Sequence, residues 1–410
     1  MGHELDTLYK EECPHCYELS LKDFIKSGYL GQVSVLNEVI AEFKAGNKDV
    51  VHEKLFNLYN DNLQKGIRGV FKPDSGIKKQ EDYLYKFDAN AAKFAAYKAN
   101  NVGNKLRELK PEGFDKKAKA LLKTYNRHQV TEYNTTVARC RTVKQFDNFK
   151  ATEHLYPNIE WIRSRSANPR EQHLKFVGLV LPINDAFWSN NQPGNLYGCK
   201  CDWRASEKPV TSNKPDDIFP SKGIDANPYK NRQIFTDDYT YFKDATERKE
   251  VDNYLSKHVL KQFKKEESYY VHPLQNRNAT DFKDLTIIAK EKAKEGAQAY
   301  IMPTMDNQEN DLYKYLFSVR KAYLRKCPDL LVNNIFYEYE SFENFTGNTV
   351  SKMISNGLSQ SDIVIINVKE TGLKDRDVLE KLHVYMNQKD SKKITELWVL
   401  KEKGTALIYP

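Results

Sequence analysis

The feature that most limits what this chain can fold into is a change of hydrophobic rhythm near residue 156. From 22 to about 149, apolar residues recur at helical spacing, first as Val35, Val39, Ile40 and Phe43, then as Leu55, Leu58, Tyr59 and Leu63. A period near 3.6 puts such residues on one stripe and predicts long helices. Segment 91–102 is rich in Ala and Lys, with Ala91, Phe94, Ala95 and Val102 on a third stripe, and 114–149 has room for two more helices. Gly46, Gly66, Gly103 and Pro111 read as helix stops. Past 156, short apolar pieces at 159–162 and 176–181 alternate with Pro169, Pro182, Pro193, Gly194 and Gly198. That alternation predicts a loop-rich unit with short strands.

The chain of 410 residues is longer than one core organises and predicts two or three domains. A Pro, Ser, Lys and Asp-rich stretch at 206–225 reads as a surface loop, and 245–265 as a polar helix. The remainder alternates helices with strands. Helices are expected at 285–295, stopped by Gly296, at 349–358 and at 376–387. Strands are expected at 300–302, 335–339 and 362–368, with a closing hairpin of 395–400 and 406–409 that turns at Lys403 and Gly404. Mean hydropathy is −0.72 and the most apolar runs, 176–181 and 363–368, are too short for a membrane span. The first twenty residues carry Glu4, Asp6, Glu11 and Glu12 without an apolar run, so no secretory signal is expected and the protein is expected inside a cell. The net charge of +8 favours a polyanion without demanding one. From Gln275 onward 20 Lys and Arg face 19 Asp and Glu, so the excess lies earlier in the chain.

Segment 157–203 has the most distinctive order: Ser166-x-x-Pro169-Arg170-x-x-His173, a Val180-Leu181-Pro182 turn, Asp185-x-Phe187-Trp188, Pro193-x-Asn195 and Gly198-Cys199-x-Cys201. Together with Tyr133-Asn134-Thr135 upstream and Asn227-Pro228 and Ile234-Phe235 downstream, it resembles the phage Mu F-like head morphogenesis family, minor capsid proteins found beside the portal. Asp238 departs from the His-Pro-Tyr-like sequence expected there. The resemblance implies portal and capsid partners and a place in the virion and the host cytoplasm.

Taken on chemistry alone, Cys199 and Cys201 are one residue apart on a turn, poorly placed for a mutual disulfide and well placed to share one soft cation. Cys13 and Cys16 form a second pair of the C-x-x-C type. The four thiols suit a structural zinc that clamps the N-terminus to the central unit, with His173 as substitute ligand. The competing reading is two unrelated pairs of reduced thiols and a core histidine, because pairs so far apart do not follow a zinc-ribbon spacing. A closed site of this kind would staple and not catalyse. Trp161, Phe187 and Trp188 read as packing anchors. Arg163, Arg165 and Arg170 read as a solvated basic face, with phosphate contact as the second reading.

In the C-terminal part, Pro328-Asp329, Glu338-x-Glu340 and Gln360-x-Asp362 occur in that order. This order resembles the C-terminal tRNA nuclease domains of contact-dependent growth inhibition (CdiA) toxins and related phage-borne nucleases of the barnase/EndoU-like group. The pattern of those domains has Glu-x-Lys where this chain has Glu338-x-Glu340. The resemblance implies a tRNA endonuclease, with tRNA or DNA as partner and Mg²⁺ as cofactor, in which carboxylates hold the cation. Losing the lysine removes a positive charge from the transition state, and the catalytically silent relative is the alternative. A metal-free ribonuclease would draw on His383, Lys369, Lys401 and Thr405 instead, although His383 also reads as a structural helix residue. The candidate catalytic set is therefore Asp329, Glu338, Glu340, Gln360, Lys369 and His383.

The expected architecture is α+β and multidomain, with a helical N-terminal part, a loop-rich central unit with short strands and a C-terminal α/β nuclease-like domain. The expected boundaries are 1–250 for the head morphogenesis part, 251–284 for a helical linker and 285–410 for the nuclease-like part.

Overall fold

The computed structural model describes residues 29–164, 169, 171–216, 220–305 and 308–410. It is mixed α/β and divides into two compact units, Met1–Leu255 and Ser256–Pro410.

The first unit is built on four helices, α1 (Tyr29–Lys44), α2 (Glu53–Arg68), α3 (Lys78–Arg107) and α4 (Phe114–Ala151). Segment 114–149, expected to hold two helices, is one helix of 38 residues, because no Gly or Pro interrupts it. Gly66 and Gly103 do not stop helices but lie within α2 and α3. At Gly66 an added Cβ would sit 3.2 Å from Val137, so this glycine serves the close approach of α2 to α4.

Helix α3 is the hub. It is buried on nearly every side, and its many alanines let its neighbours come close. The polar side chains this buries are paired, as burial requires. Lys98 donates to both oxygens of Glu132 at 2.7 Å and to the carbonyl of Tyr125 at 3.2 Å. Asn90 donates to the Phe235 carbonyl and accepts from the backbone N–H of Ile234 and Phe235, each at 2.9 Å. From α4, Arg139 donates to the carbonyls of Ile224 and Ala226 at 2.8 and 2.5 Å. Two long helices thus hold an irregular segment by its backbone.

The small antiparallel sheet contains β1 (Asn158–Ile162), β2 (Val180–Pro182) and β3 (Asp202–Ser206) in the order β2-β1-β3. Between β1 and β3 lie the four-residue helices α5 (Glu171–Leu174) and α6 (Phe187–Asn190). Trp161, Phe187, Trp188 and Trp203 fill one aromatic core with Phe176 and Leu181, as expected of packing anchors. The short helices α7 (Pro228–Asn231) and α8 (Thr240–Lys243) follow, and α9 (Arg248–His258) contains the boundary. Asn227 caps α7 by accepting from Tyr229 and Lys230.

The second unit is an eight-stranded mixed sheet in the order β11-β10-β9-β8-β7-β6-β5-β4. In chain order its elements are β4 (Lys264–Lys265), β5 (Tyr270–Val271), α10 (Phe282–Lys294), β6 (Ala299–Ile301), α11 (Asp311–Leu316), β7 (Leu330–Val332), β8 (Ile335–Glu340), α12 (Thr349–Leu358), β9 (Ile363–Asn367), α13 (Asp375–Met386), β10 (Glu396–Lys401) and β11 (Gly404–Tyr409). Helix α10 covers one face through Leu285, Ile288 and Ala289, while α12 and α13 cover the other through Met353, Ile354, Val378 and Leu382. Each joins a pair of parallel strands, the connection that needs a crossover helix. Segment 251–284, expected as a helical linker, is helical through His258 and then supplies β4 and β5 to this sheet. Two-residue strands leave no alternation to read. The expected helix at 349–358 and the hairpin at 403–404 occur as expected, with Gly296 at φ 88° ending α10.

Candidate functional site

Two groups of reactive side chains stand out, one in each unit. In the first unit the four-residue helix α5 presents His173, and the turn before β3 presents Cys199 and Cys201. Gly198 enters that turn at φ 70°, a conformation that favours glycine. His173 Nδ1 lies 3.4 Å from Cys199 Sγ and 3.2 Å from Cys201 Sγ. Among the described residues, these three form the one group of His, Cys, Asp or Glu whose ligand atoms all lie within 4.8 Å of one another. Neither cysteine is in a disulfide, and both are half-buried. The Cys201 backbone N–H donates to Cys199 Sγ at 3.4 Å. Hydrogen bonding from Cys201, then from His173, holds the Cys199 thiol well below its ordinary range against the opposing effect of burial. His173 is itself buried, packed edge-on to Trp161 at 5.3 Å, and its Nε2 has no partner. The set of two soft sulfurs and one imidazole can hold a metal ion, and it is the donor set of zinc.

Cys13 and Cys16 lie outside the described residues, so the grouping that the structure provides is His173 with one cysteine pair. His173, expected as a substitute ligand, takes a central place in it. Arg165 and Arg170 also lie outside the described residues, and Arg163 is exposed.

In the second unit, Asp329 directly precedes β7 while Glu338 and Glu340 project from one face of β8, two residues apart. Glu338 accepts a hydrogen bond from Gln360, which follows α12. The backbone N–H of Tyr339 donates to Asp329 Oδ2 at 3.1 Å. Asp281, beside the N-terminus of α10, accepts from Ser341 and acts electrostatically on both Asp329 and Glu340. The residues therefore gather along β8, with Gln360 reaching in from the end where β8 and the parallel β9 begin and Asp281 lying at the end where β8 finishes. Burial, with the charge of Asp281, pushes the Asp329 carboxyl up to about 7. Burial, with the charges of Asp329 and Asp281, likewise raises Glu340 to about 7. Glu338 is raised well above the carboxylate range by burial and then by Asp329 and Glu340, with Lys326 opposing. It is 4% exposed and its Oε2 has no partner. Gly357 of α12 packs so near that an added Cβ would lie 3.3 Å from Glu340 Cγ.

Lys369 stands at the end of the sheet where β8 finishes, past β9, but on the face covered by α10. Its ammonium is held by Asp284, which also accepts from Tyr339 Oη at 2.6 Å and Asn367 Nδ2 at 3.2 Å. His383 is exposed in the last turn of α13. Because α13 runs back against the parallel strands it connects, that turn is at the opposite end of the sheet from Glu340. Lys401 pairs with Asp375 at 2.6 Å, and Thr405 Oγ1 donates to Glu291 at 2.8 Å. The metal-free set of His383, Lys369, Lys401 and Thr405 is thus not assembled, whereas Asp329, Glu338, Glu340 and Gln360 are brought together. Sequence reading missed Asp281 and Lys326. A capping position before a helix and a lysine two residues ahead of a Pro-Asp pair carry no signal until the fold joins them.

No helix among the described residues is long and apolar enough to cross a membrane. Searches of protein-family models, of curated proteins and of solved structures find no match to this chain.

Proposed function

We propose that this chain is a phage or prophage minor head protein of the Mu F-like kind, acting in virion assembly at the portal, whose C-terminal unit is a toxin-like tRNA endonuclease. The observation that carries the enzymatic part is the gathering of Asp329, Glu338, Glu340 and Gln360 around β8, from the residue before β7, from β8 itself and from the segment after α12. The assembly part rests on the ordered motifs of 157–203 and on Asn227, Pro228, Ile234 and Phe235, which lie in the segment clasped by α3 and α4. Portal and capsid proteins are the partners this reading names, with the host cytoplasm and the virion as locations.

A hard dication such as Mg²⁺ fits the donor type, since the group is all carboxylate and the buried Oε2 of Glu338 has no partner. Asp329, Glu338 and Glu340 would hold it, and it would supply charge at the phosphate and a more acidic water. Their ligand atoms are not as close-set as those of the thiol group. Gln360 fixes the Glu338 carboxylate through its amide. Glu340, with its carboxyl raised to about 7, suits proton exchange near neutral pH. Lys326 brings positive charge toward Glu338 from outside β8, which the Glu-x-Glu strand does not supply.

The test is to incubate the full chain with total tRNA, with and without Mg²⁺, and to resolve the products on a denaturing gel. Cleavage that needs Mg²⁺ and falls about 100-fold or more in Asp329→Asn and Glu338→Gln is expected. No product under either condition favours the catalytically silent relative, for which Glu340 in the lysine position already argues. Copurification with a portal ring tests the assembly role, and a strictly free monomer in infected cells overturns it.

A further inference from the structure

We propose that His173, Cys199 and Cys201 bind one zinc ion, and that this ion fastens the loop-rich part of the first unit by tying α5 to the turn before β3. The inference is independent of the C-terminal reading and stands on residues from another unit.

The separations are those of ligands on a common ion. A tetrahedral zinc with one sulfur at about 2.3 Å and one nitrogen at about 2.0 Å places those two donors about 3.6 Å apart. The two sulfur-to-Nδ1 separations, 3.4 and 3.2 Å, come close to that without any ion to draw them together. Neutral thiols and an imidazole have little reason to converge in this way, since S–H is a weak donor and one Nδ1 satisfies a single proton. The Cys201 N–H directed at Cys199 Sγ is the support that an outer-shell donor gives a thiolate ligand. Packing of His173 against Trp161 and Phe176 fixes the ring plane, so Nδ1 is aimed before any ion arrives.

The alternatives fit less well. A disulfide between residues one apart forces the Cβ vectors into a strained geometry, and neither cysteine forms one. Hard cations prefer oxygen donors, and here there is none among the three ligands. The site also lies where a cross-link does most. The three-stranded sheet has strands of five, three and five residues, and four-residue helices make up the rest of this part. Such elements supply few backbone ladders, and tying 173 to 199–201 closes a loop of some 26 residues that otherwise rests on the aromatic core, the three-residue pairing of β2 with β1 and scattered hydrogen bonds such as that from Thr142 to the Pro193 carbonyl. The three ligands leave one tetrahedral position for a further donor.

Metal analysis of the full chain, purified without chelator, decides the matter. About one zinc per chain is expected, falling to about a tenth or less in Cys199→Ser and in His173→Ala. Cobalt added to the zinc-stripped chain is expected to give an intense sulfur-to-cobalt band, weakened but kept in Cys201→His and abolished when both thiols become serine. Chelation is expected to lower the melting temperature by several degrees, with recovery on adding zinc. A full chain that melts cooperatively with less than about a fifth of a metal per chain, and shows no cobalt band, overturns the proposal. So does a full complement of zinc that survives Cys199→Ser and His173→Ala. Should those variants fail to fold, the cobalt spectrum of the unsubstituted chain gives the answer by itself.

Discussion

Glu132 and Glu338 are both buried carboxylates, at 1% and 4% exposure, yet their surroundings are opposite. Glu132 receives both hydrogen bonds it needs from one ammonium, Lys98, which is itself fully buried and also reaches a backbone carbonyl. Glu338 receives one amide from Gln360, keeps an oxygen without a partner, and faces two more acids. The first arrangement closes on itself and has nothing to offer a ligand. The second sets three acids against one another without a cation to pair them, so each is pushed toward its protonated form and keeping them ionised costs stability. Burial alone therefore does not mark a functional acid; the absence of compensation does.

That contrast breaks or sharpens under substitution. The largest effect is expected in the first unit. Lys98→Met leaves Glu132 buried without its cation and should cost about 3–5 kcal/mol, read as an earlier urea transition of the full chain. Glu338→Gln, which removes an acid that lacks a cation and keeps the shape, should leave the second unit as stable or more so. Equal losses in the two variants would dissolve the distinction.

The next effect follows pH. The carboxyls of Asp329 and Glu340 are raised to about 7, above their unfolded values near 4, so the folded state binds more protons between those limits. The stability that these two carboxyls contribute should then be fully present below about pH 4 and lost as pH rises toward 7, while the buried His258 and His272, held down to about 4 and about 3, act in the opposite direction over much of that range. With allowance for partial exposure the fall is roughly 1–3 kcal/mol, and Asp329→Asn should flatten it. An Asp329→Asn chain whose stability follows pH in the same way as the unsubstituted chain would contradict the picture of repelling acids.

The smallest effect belongs to a pair outside both environments. Lys44 and Asp115 meet at 3.1 Å but are 61% and 55% exposed. Asp115→Asn should change stability by less than about 1 kcal/mol and lose even that at high salt.

Much of the fold was legible in the sequence because it is local. Helical stripes such as Val39, Ile40 and Phe43, the β-branched run of β9 and the turn at Lys403 and Gly404 encode their own conformation through spacing and backbone preference. The errors have the same origin. Gly66 and Gly103 look like stops when only their flexibility is considered, and the helix packing that needs their missing side chains is a tertiary fact. Strands β4 and β5 are too short to have a period at all.

By itself the sequence determined the residue types available for chemistry and the elements that carry most of them: two thiols on a glycine turn, a Pro-Asp pair, two glutamates two apart on a strand. Only the tertiary structure decided their company. It set His173 against Cys199 and Cys201 from 26 residues away, and it gathered Asp281, Asp329, Glu338, Glu340 and Gln360 while placing His383 at the end of the sheet away from Glu340. The reason is physical. Ligation, charge repulsion and desolvation act over a few ångströms through space, and distances of that size between residues far apart in the chain exist only after the core has packed.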